Sequence, residues 1–390
     1  MKQVPVLLLT GYLGSGKTTL VNRILTNRKG IRFAVIVNDI GEVNIDASLI
    51  SREGIVSAKD DSLVALQNGC ICCTLKMDLV DQLTGIVSSG RFDYIVIEAS
   101  GICEPEPIAR TICSIPYMGP EYIADGMPFL DSIVTVVDAL RMRDEFSCAK
   151  DLLRGNLEEE DIENLVIQQV EFCNIVLLNK ASAVSAEELG KVREIIRALQ
   201  PKARIIECDY GDVDFDSILD TRLFNYDSVS GSAAWISAVE GGAETDDDDE
   251  DGEHEDHHHH HHHDEGEVEE YGIGTYVYFS RRPFDVNKFD NFVARHWPAG
   301  IIRAKGICYF ESEPDLCYLF EQAGSQTGMK SIGQWYATMP ESELQEQLEN
   351  DPVLRRDWDP EYGDRMQKLV FIGQHLDRDA IRGALDFCLA

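Results

Sequence analysis

Six short apolar runs punctuate the first 228 residues: Val4–Thr10, Phe33–Val37, Tyr94–Glu98, Ile133–Asp138, Ile175–Leu178 and Arg204–Glu207. Most are apolar at consecutive positions rather than alternate ones, the pattern of strands buried on both faces. Between them, Lys17–Leu25, Asp78–Val87, Glu158–Val170 and Ala186–Leu199 carry helical spacing. Strand alternating with helix predicts an α/β domain whose mostly parallel sheet is covered by helices.

The pattern stops in Asp246–Glu270, which has almost no apolar residue. Such a segment cannot bury enough surface to offset its ordering entropy, so residues 229–270 read as a disordered acidic linker. Patterning then returns. Ile273–Ser280, Ile301–Phe310, Leu316–Phe320, Trp335–Met339 and Lys368–Ile372 read as strands, and Val286–His296, Ser342–Leu348 and Asp379–Cys388 as helices. Three regions follow: an α/β domain over 1–228, the linker, and a smaller α+β domain over 271–390.

Charge and cysteine usage narrow the class. The formal net charge is −34. Fifteen acidic residues lie between Glu244 and Glu270, yet the rest of the chain is acidic too. That surface repels nucleic acid and anionic membrane, so neither is expected as a partner. No apolar run approaches the ~20 residues of a membrane span. The apolar start leads straight into a glycine-rich loop and reads as a buried strand rather than a signal peptide. Eleven cysteines, an odd number, without an export signal argue against a disulfide framework and for reduced thiols in the cytoplasm.

The glycine-rich loop is Gly11-Tyr12-Leu13-Gly14-Ser15-Gly16-Lys17-Thr18. It follows a strand and opens a helix, the context a phosphate-binding loop needs. Its glycines let backbone N–H groups turn onto phosphate oxygens, and the helix N-terminus adds a favourable dipole. Gly11, Gly14, Ser15, Gly16, Lys17, Thr18 and Thr19 are therefore the candidate phosphate site. Lys17 would reach the β- and γ-phosphates, and Thr18 would offer its hydroxyl to Mg²⁺. Glu98 ends the strand YIVIE, where a carboxylate points toward the phosphates. Asp39, Glu42 and Asp46 follow the second strand, and one of them can orient the attacking water. Asn179-Lys180 ends another strand, where guanine-nucleotide proteins keep Asn-Lys-x-Asp. The fourth position here is Ser182, a poorer acceptor than a carboxylate for the guanine edge.

Gly69–Lys76 reads GCICCTLK, with Cys70, Cys72 and Cys73 within four positions. Two or three thiolates there can bind Zn²⁺ or another soft ion. The spacing is too cramped for all three to be ideal tetrahedral ligands. A fourth ligand must come from elsewhere, with Glu42 or a partner protein as candidates. An open three-ligand site suits transfer better than storage. Cys103, Cys113, Cys148, Cys173, Cys308, Cys317 and Cys388 read as small buried thiols. His254 and the run His257, His258, His259, His260, His261, His262 and His263 form a flexible, unselective metal-binding tract, suited to loading or buffering.

The segments LLTGYLGSGKTTL, NDIGEVNID, NGCICCTLK, EASGICEPEPIA, TVVDA, EFCNIVLLNK, RRPFDVNKF and IIRAKG together resemble the CobW-type family of metal-handling GTPases. The resemblance covers nearly the whole chain. It implies a P-loop NTPase domain using GTP/GDP and Mg²⁺, a zinc site on Cys70, Cys72 and Cys73, and a smaller C-terminal domain. It also implies zinc-stimulated GTP hydrolysis and delivery of metal to a client metalloprotein. By the same likeness, Asn179 and Lys180 lie against the base and Glu98 near Mg²⁺. Two departures stand out: Glu98-Ala99-Ser100-Gly101 at the second acidic motif, and Ser182. Cobalt handling and a passive zinc buffer are the competing readings. The client's identity and homo-oligomer formation stay open.

Overall fold

The computed structural model describes residues 2–26, 30–37, 63–65, 76–147, 157–226, 271–323 and 326–390. These residues form two compact units, one ending by residue 226 and the other beginning at residue 271.

The first unit is built on a seven-stranded sheet. Its strands are β1 (Gln3–Thr10), β2 (Phe33–Val37), β3 (Leu63–Ala65), β4 (Tyr94–Glu98), β5 (Met127–Asp138), β6 (Ile175–Asn179) and β7 (Arg204–Glu207). The order across the sheet is β3-β2-β4-β1-β5-β6-β7, and every pairing is parallel. Among the described residues six helices accompany the strands, with short 3-10 turns between: α1 (Lys17–Thr26), α2 (Lys76–Ser88), α3 (Pro105–Met118), α4 (Ala139–Ser147), α5 (Leu157–Glu171) and α6 (Ala186–Leu199).

Both faces of strands β1, β2, β4, β5 and β6 are largely dry, as the continuous apolar runs predict. On one face Leu7, Leu9, Val35, Val96, Val136 and Leu177 pack with Leu20, Val21 and Ile24 of α1. The residues of opposite parity, among them Val6, Leu8, Ile36, Ile97 and Leu178, are equally buried. Parallel pairing brings the carboxyl ends of all strands to one edge, with Leu9 beside Glu98 and Asp138 beside Asn179. In open α/β sheets that edge is where ligands bind.

The second unit is a five-stranded antiparallel sheet of order β11-β10-β9-β12-β8. Its strands are β8 (Ile273–Ser280), β9 (Ile301–Phe310), β10 (Glu313–Ala323), β11 (Gln326–Gln334) and β12 (Gln367–Gln374). Helices α7 (Val286–Arg295) and α10 (Arg378–Cys388) supply Phe289, Phe292, Ile381 and Leu385 to a core shared with Phe310, Phe320 and Phe371. Phe289 is its centre, stacked on Phe284 at 4.9 Å and edge-on to Phe320 at 5.3 Å. Between β11 and β12 lie α8 (Glu341–Asn350) and α9 (Pro352–Arg356).

Trp335–Met339 is not a strand. Tyr336–Thr338 forms a 3-10 turn because the Asp364 carboxylate accepts from the Tyr336 and Ala337 N–H groups, both at 2.8 Å. Trp335 is buried, and its Nε1–H donates to the Leu316 carbonyl at 3.0 Å. The strand in this region is β11, whose largely exposed residues give no apolar alternation to read. Helix α3 also escaped the pattern, because Pro105, Pro107 and Pro116 mask it. Pro105 fits at the first helical position, where its missing N–H costs nothing.

No helix among the described residues is long and apolar enough to cross a membrane.

Candidate functional site

Thr10 ends β1, and the chain turns through Gly11–Gly16 into α1 at Lys17. Two glycines are required by geometry. Gly11 has φ +133°, and a Cβ there would lie 2.2 Å from the Val136 carbonyl oxygen. Gly16 has φ +110°, and its Cβ would meet the Asn179 amide at 2.4 Å. The loop is thus pressed against β5 and β6, with α1's first N–H groups at its exit.

Lys17 is buried, and its Nζ donates to the carbonyls of Gly11 at 2.7 Å and Tyr12 at 3.1 Å, which holds the ammonium over the loop. Thr18 Oγ1 donates to Glu98 Oε1 at 2.8 Å, and Glu98 is only 2 % exposed at the end of β4. A hydroxyl and a buried carboxylate meeting beside an anion-binding loop form a donor set of hard oxygens, which fits Mg²⁺. Ser15 Oγ is buried without a hydrogen-bond partner among the described residues. A bound phosphate oxygen would satisfy it.

Asn179 is a brace. Its Nδ2 donates to the Ser15 carbonyl at 2.8 Å, and its Oδ1 accepts from the Gly211 N–H at 3.1 Å. One buried amide therefore ties the phosphate loop to the ends of β6 and β7. Lys180 has φ +58°, and its Nζ pairs with Asp138 Oδ2 at 2.5 Å. Asp138 Oδ1 also accepts from the Leu140 and Arg141 N–H groups at 3.1 and 3.3 Å, starting α4. The Arg141 guanidinium lies 4.2 Å from the centre of the Tyr12 ring. Together these contacts close one side of the loop.

Lys17, Thr18, Glu98, Asn179 and Lys180 thus share the carboxyl edge of the first sheet. Asp39, Glu42, Asp46, Cys70, Cys72, Cys73, His254 and His257–His263 lie outside the described residues, as does Cys148. Among the described residues no group of His, Cys, Asp and Glu side chains is arranged to hold a metal ion. The remaining cysteines are mostly what their isolation suggests. Burial pushes the Cys173 thiol up to about 12 and the Cys208 thiol up to about 11, so both are protonated and inert at neutral pH. Cys103 departs from that reading: it is fully buried and disulfide-bonded.

Sequence reasoning passed over Asp138 and Asp209. Asp138 carried a signal, since it ends the apolar run IVTVVD as Glu98 ends YIVIE. Asp209 sits two residues beyond β7, and its carboxylate binds Ser182, a pairing with no sequence signature.

Comparison with known proteins agrees with this geometry. Residues 5–207 match the CobW/HypB/UreG nucleotide-binding domain, and residues 273–389 match the cobalamin synthesis protein CobW C-terminal domain. The chain is 34% identical over 403 residues to the zinc-regulated GTPase metalloprotein activator 1 of Dictyostelium discoideum, covering 100% of this chain and 80% of that one. It is 36% identical over 233 residues to the protein of the same name in Schizosaccharomyces pombe, covering 58% of this chain and 51% of that one. It is 32% identical over 222 residues to the zinc chaperone CobW of Sinorhizobium sp, covering 54% of this chain and 60% of that one. A braced phosphate loop, a Thr–Glu pair behind it and two domain matches along one chain place this protein in the CobW/HypB/UreG family of P-loop GTPases.

Proposed function

We propose that the protein is a GTP-hydrolysing metallochaperone that binds zinc at Cys70, Cys72 and Cys73 and couples its nucleotide state to metal transfer to a client protein. The observation that carries this reading is the Thr18–Glu98 hydrogen bond beside Lys17, in a chain whose whole length aligns with 80% of a zinc-regulated GTPase metalloprotein activator.

The N–H groups at the start of α1 and the Lys17 ammonium hold the phosphates. On binding, Lys17 Nζ exchanges carbonyl partners for phosphate oxygens, so the charge is already positioned and little reorganisation is needed. Mg²⁺, when bound, neutralises the charge that develops on the transferred phosphoryl group. Thr18 would supply a hydroxyl oxygen for it, and buried Glu98 fixes that hydroxyl by accepting its hydrogen bond. Asp39 or Glu42 orients the attacking water. The brace through Asn179 keeps the loop in register with the base end of the site.

The switch segment around 38–50 precedes the thiol segment by about 20 residues in sequence. In this proposal a change in the switch segment on hydrolysis alters the thiol segment, and the His257–His263 tract, within a linker over 229–270, loads the thiols. Glu42 is the candidate additional ligand. A tenfold change in metal affinity needs only about 1.4 kcal/mol of coupling. Competition with a chromogenic chelator, run with GTP, GDP and no nucleotide, measures that coupling. Zinc affinity that differs at least tenfold between the states is expected. Equal affinity in all three would falsify the coupling.

A further inference from the structure

The base end of the site lacks the usual carboxylate, because Ser182 occupies its position. The structure fills that gap from the next strand. Ser182 donates twice to Asp209 Oδ1, from its backbone N–H at 3.1 Å and from its hydroxyl at 2.8 Å.

This contact is part of a zipper between two loops at the carboxyl ends of β6 and β7. Cys208 N–H donates to the Leu178 carbonyl at 3.0 Å, and Ala181 N–H to the Cys208 carbonyl at 3.2 Å. Gly211 N–H reaches Asn179 Oδ1 at 3.1 Å. Asn179 in turn holds the Ser15 carbonyl of the phosphate loop. Asp209 is therefore placed by two hydrogen bonds of its own and by a chain of bonds leading back to the phosphate loop. It is half-buried, and its Oδ2 has no hydrogen-bond partner among the described residues.

We propose that Asp209 is the residue that selects guanine, doing from the loop after β7 what a carboxylate at position 182 would do. The proposal rests on the nucleotide reading above. The guanine edge presents two N–H donors, N1–H and the 2-amino group. The Ser182 hydroxyl spends its proton on Oδ1, so its oxygen and Asp209 Oδ2 leave two acceptors side by side. Adenine presents an unprotonated N1 and no 2-amino group, and so sets a lone pair against a carboxylate. A site built to accept two hydrogen bonds rejects a ligand that cannot make them.

The test is equilibrium competition binding of GDP, ADP and xanthosine diphosphate to the full chain, with Mg²⁺ and without zinc. The wild-type protein is expected to prefer GDP over ADP by about 100-fold, the size of one hydrogen bond to a carboxylate and one to a neutral hydroxyl. Asp209→Asn is expected to lose about 100-fold in GDP affinity and to gain affinity for xanthosine diphosphate, whose 2-carbonyl accepts from the new amide. That gain cannot arise from a misfolded protein. Ser182→Ala, which frees the carboxylate to rotate, is expected to narrow the GDP-to-ADP ratio about tenfold. Wild-type protein that binds GDP and ADP alike overturns the assignment of Asp209 alone, as does an Asp209→Asn variant that melts normally and keeps its GDP affinity. An unchanged ratio in Ser182→Ala also overturns it. Wild-type protein that binds no diphosphate contradicts the nucleotide reading as well.

Discussion

Asn179 and Lys180 show how a motif can be legible while the work of its residues is not. From the sequence they read as residues lying against a base. In the fold Asn179 is 2 % exposed and spends both ends of its amide on backbone, at Ser15 and Gly211. Asn179→Ala would leave a carbonyl and an N–H unpaired in a dry place, at a cost of about 1–3 kcal/mol. The variant is expected to melt several degrees lower and to bind GDP at least tenfold more weakly, because the loop loses its brace. Calorimetry and nucleotide titration check both, and unchanged GDP affinity would remove the brace from the account. Glu98 was readable because it ends a wholly apolar strand. Asp209 was not, because only the pairing of β6 with β7 brings it to Ser182.

At the scale of elements, continuous apolar runs identified six of the seven parallel strands. The seventh, Leu63–Ala65, is too short to stand out from its surroundings. The run also underestimated β5, which begins at Met127 rather than Ile133. Asp131 and Ser132 look like the polar edge of a loop. In fact Asp131 is fully buried and accepts from the Tyr94 hydroxyl at 2.5 Å and from the Thr221 and Arg222 N–H groups at 3.2 and 2.5 Å. One carboxylate thus joins β5, β4 and the segment after β7. Asp131→Ala strands the buried Tyr94 hydroxyl and unpairs two part-buried N–H groups, so a loss of about 2 kcal/mol or more is expected in denaturant unfolding. A loss below about 1 kcal/mol would mean that the knot is replaced by solvent. In the second unit the same limitation hid β11, since strand pairing with β10 rather than apolar burial holds it in place.

Over the whole molecule, a long acidic, histidine-rich stretch lies between two patterned regions of the sequence. The alternation of strand and helix gave the parallel sheet, and the parallel sheet put Lys17, Thr18, Glu98 and Asn179 at one edge. The three thiols and the switch carboxylates lie outside the described residues, and in the proposed function they and this edge act as one device. GTP hydrolysis should therefore be followed with and without one equivalent of Zn²⁺ on protein lacking residues 246–270, so that the histidine tract does not compete for metal. Hydrolysis that rises severalfold with zinc, and does not rise in Cys72→Ser, is the predicted result. Hydrolysis indifferent to zinc in the parent protein, or equally stimulated in Cys72→Ser, would contradict it.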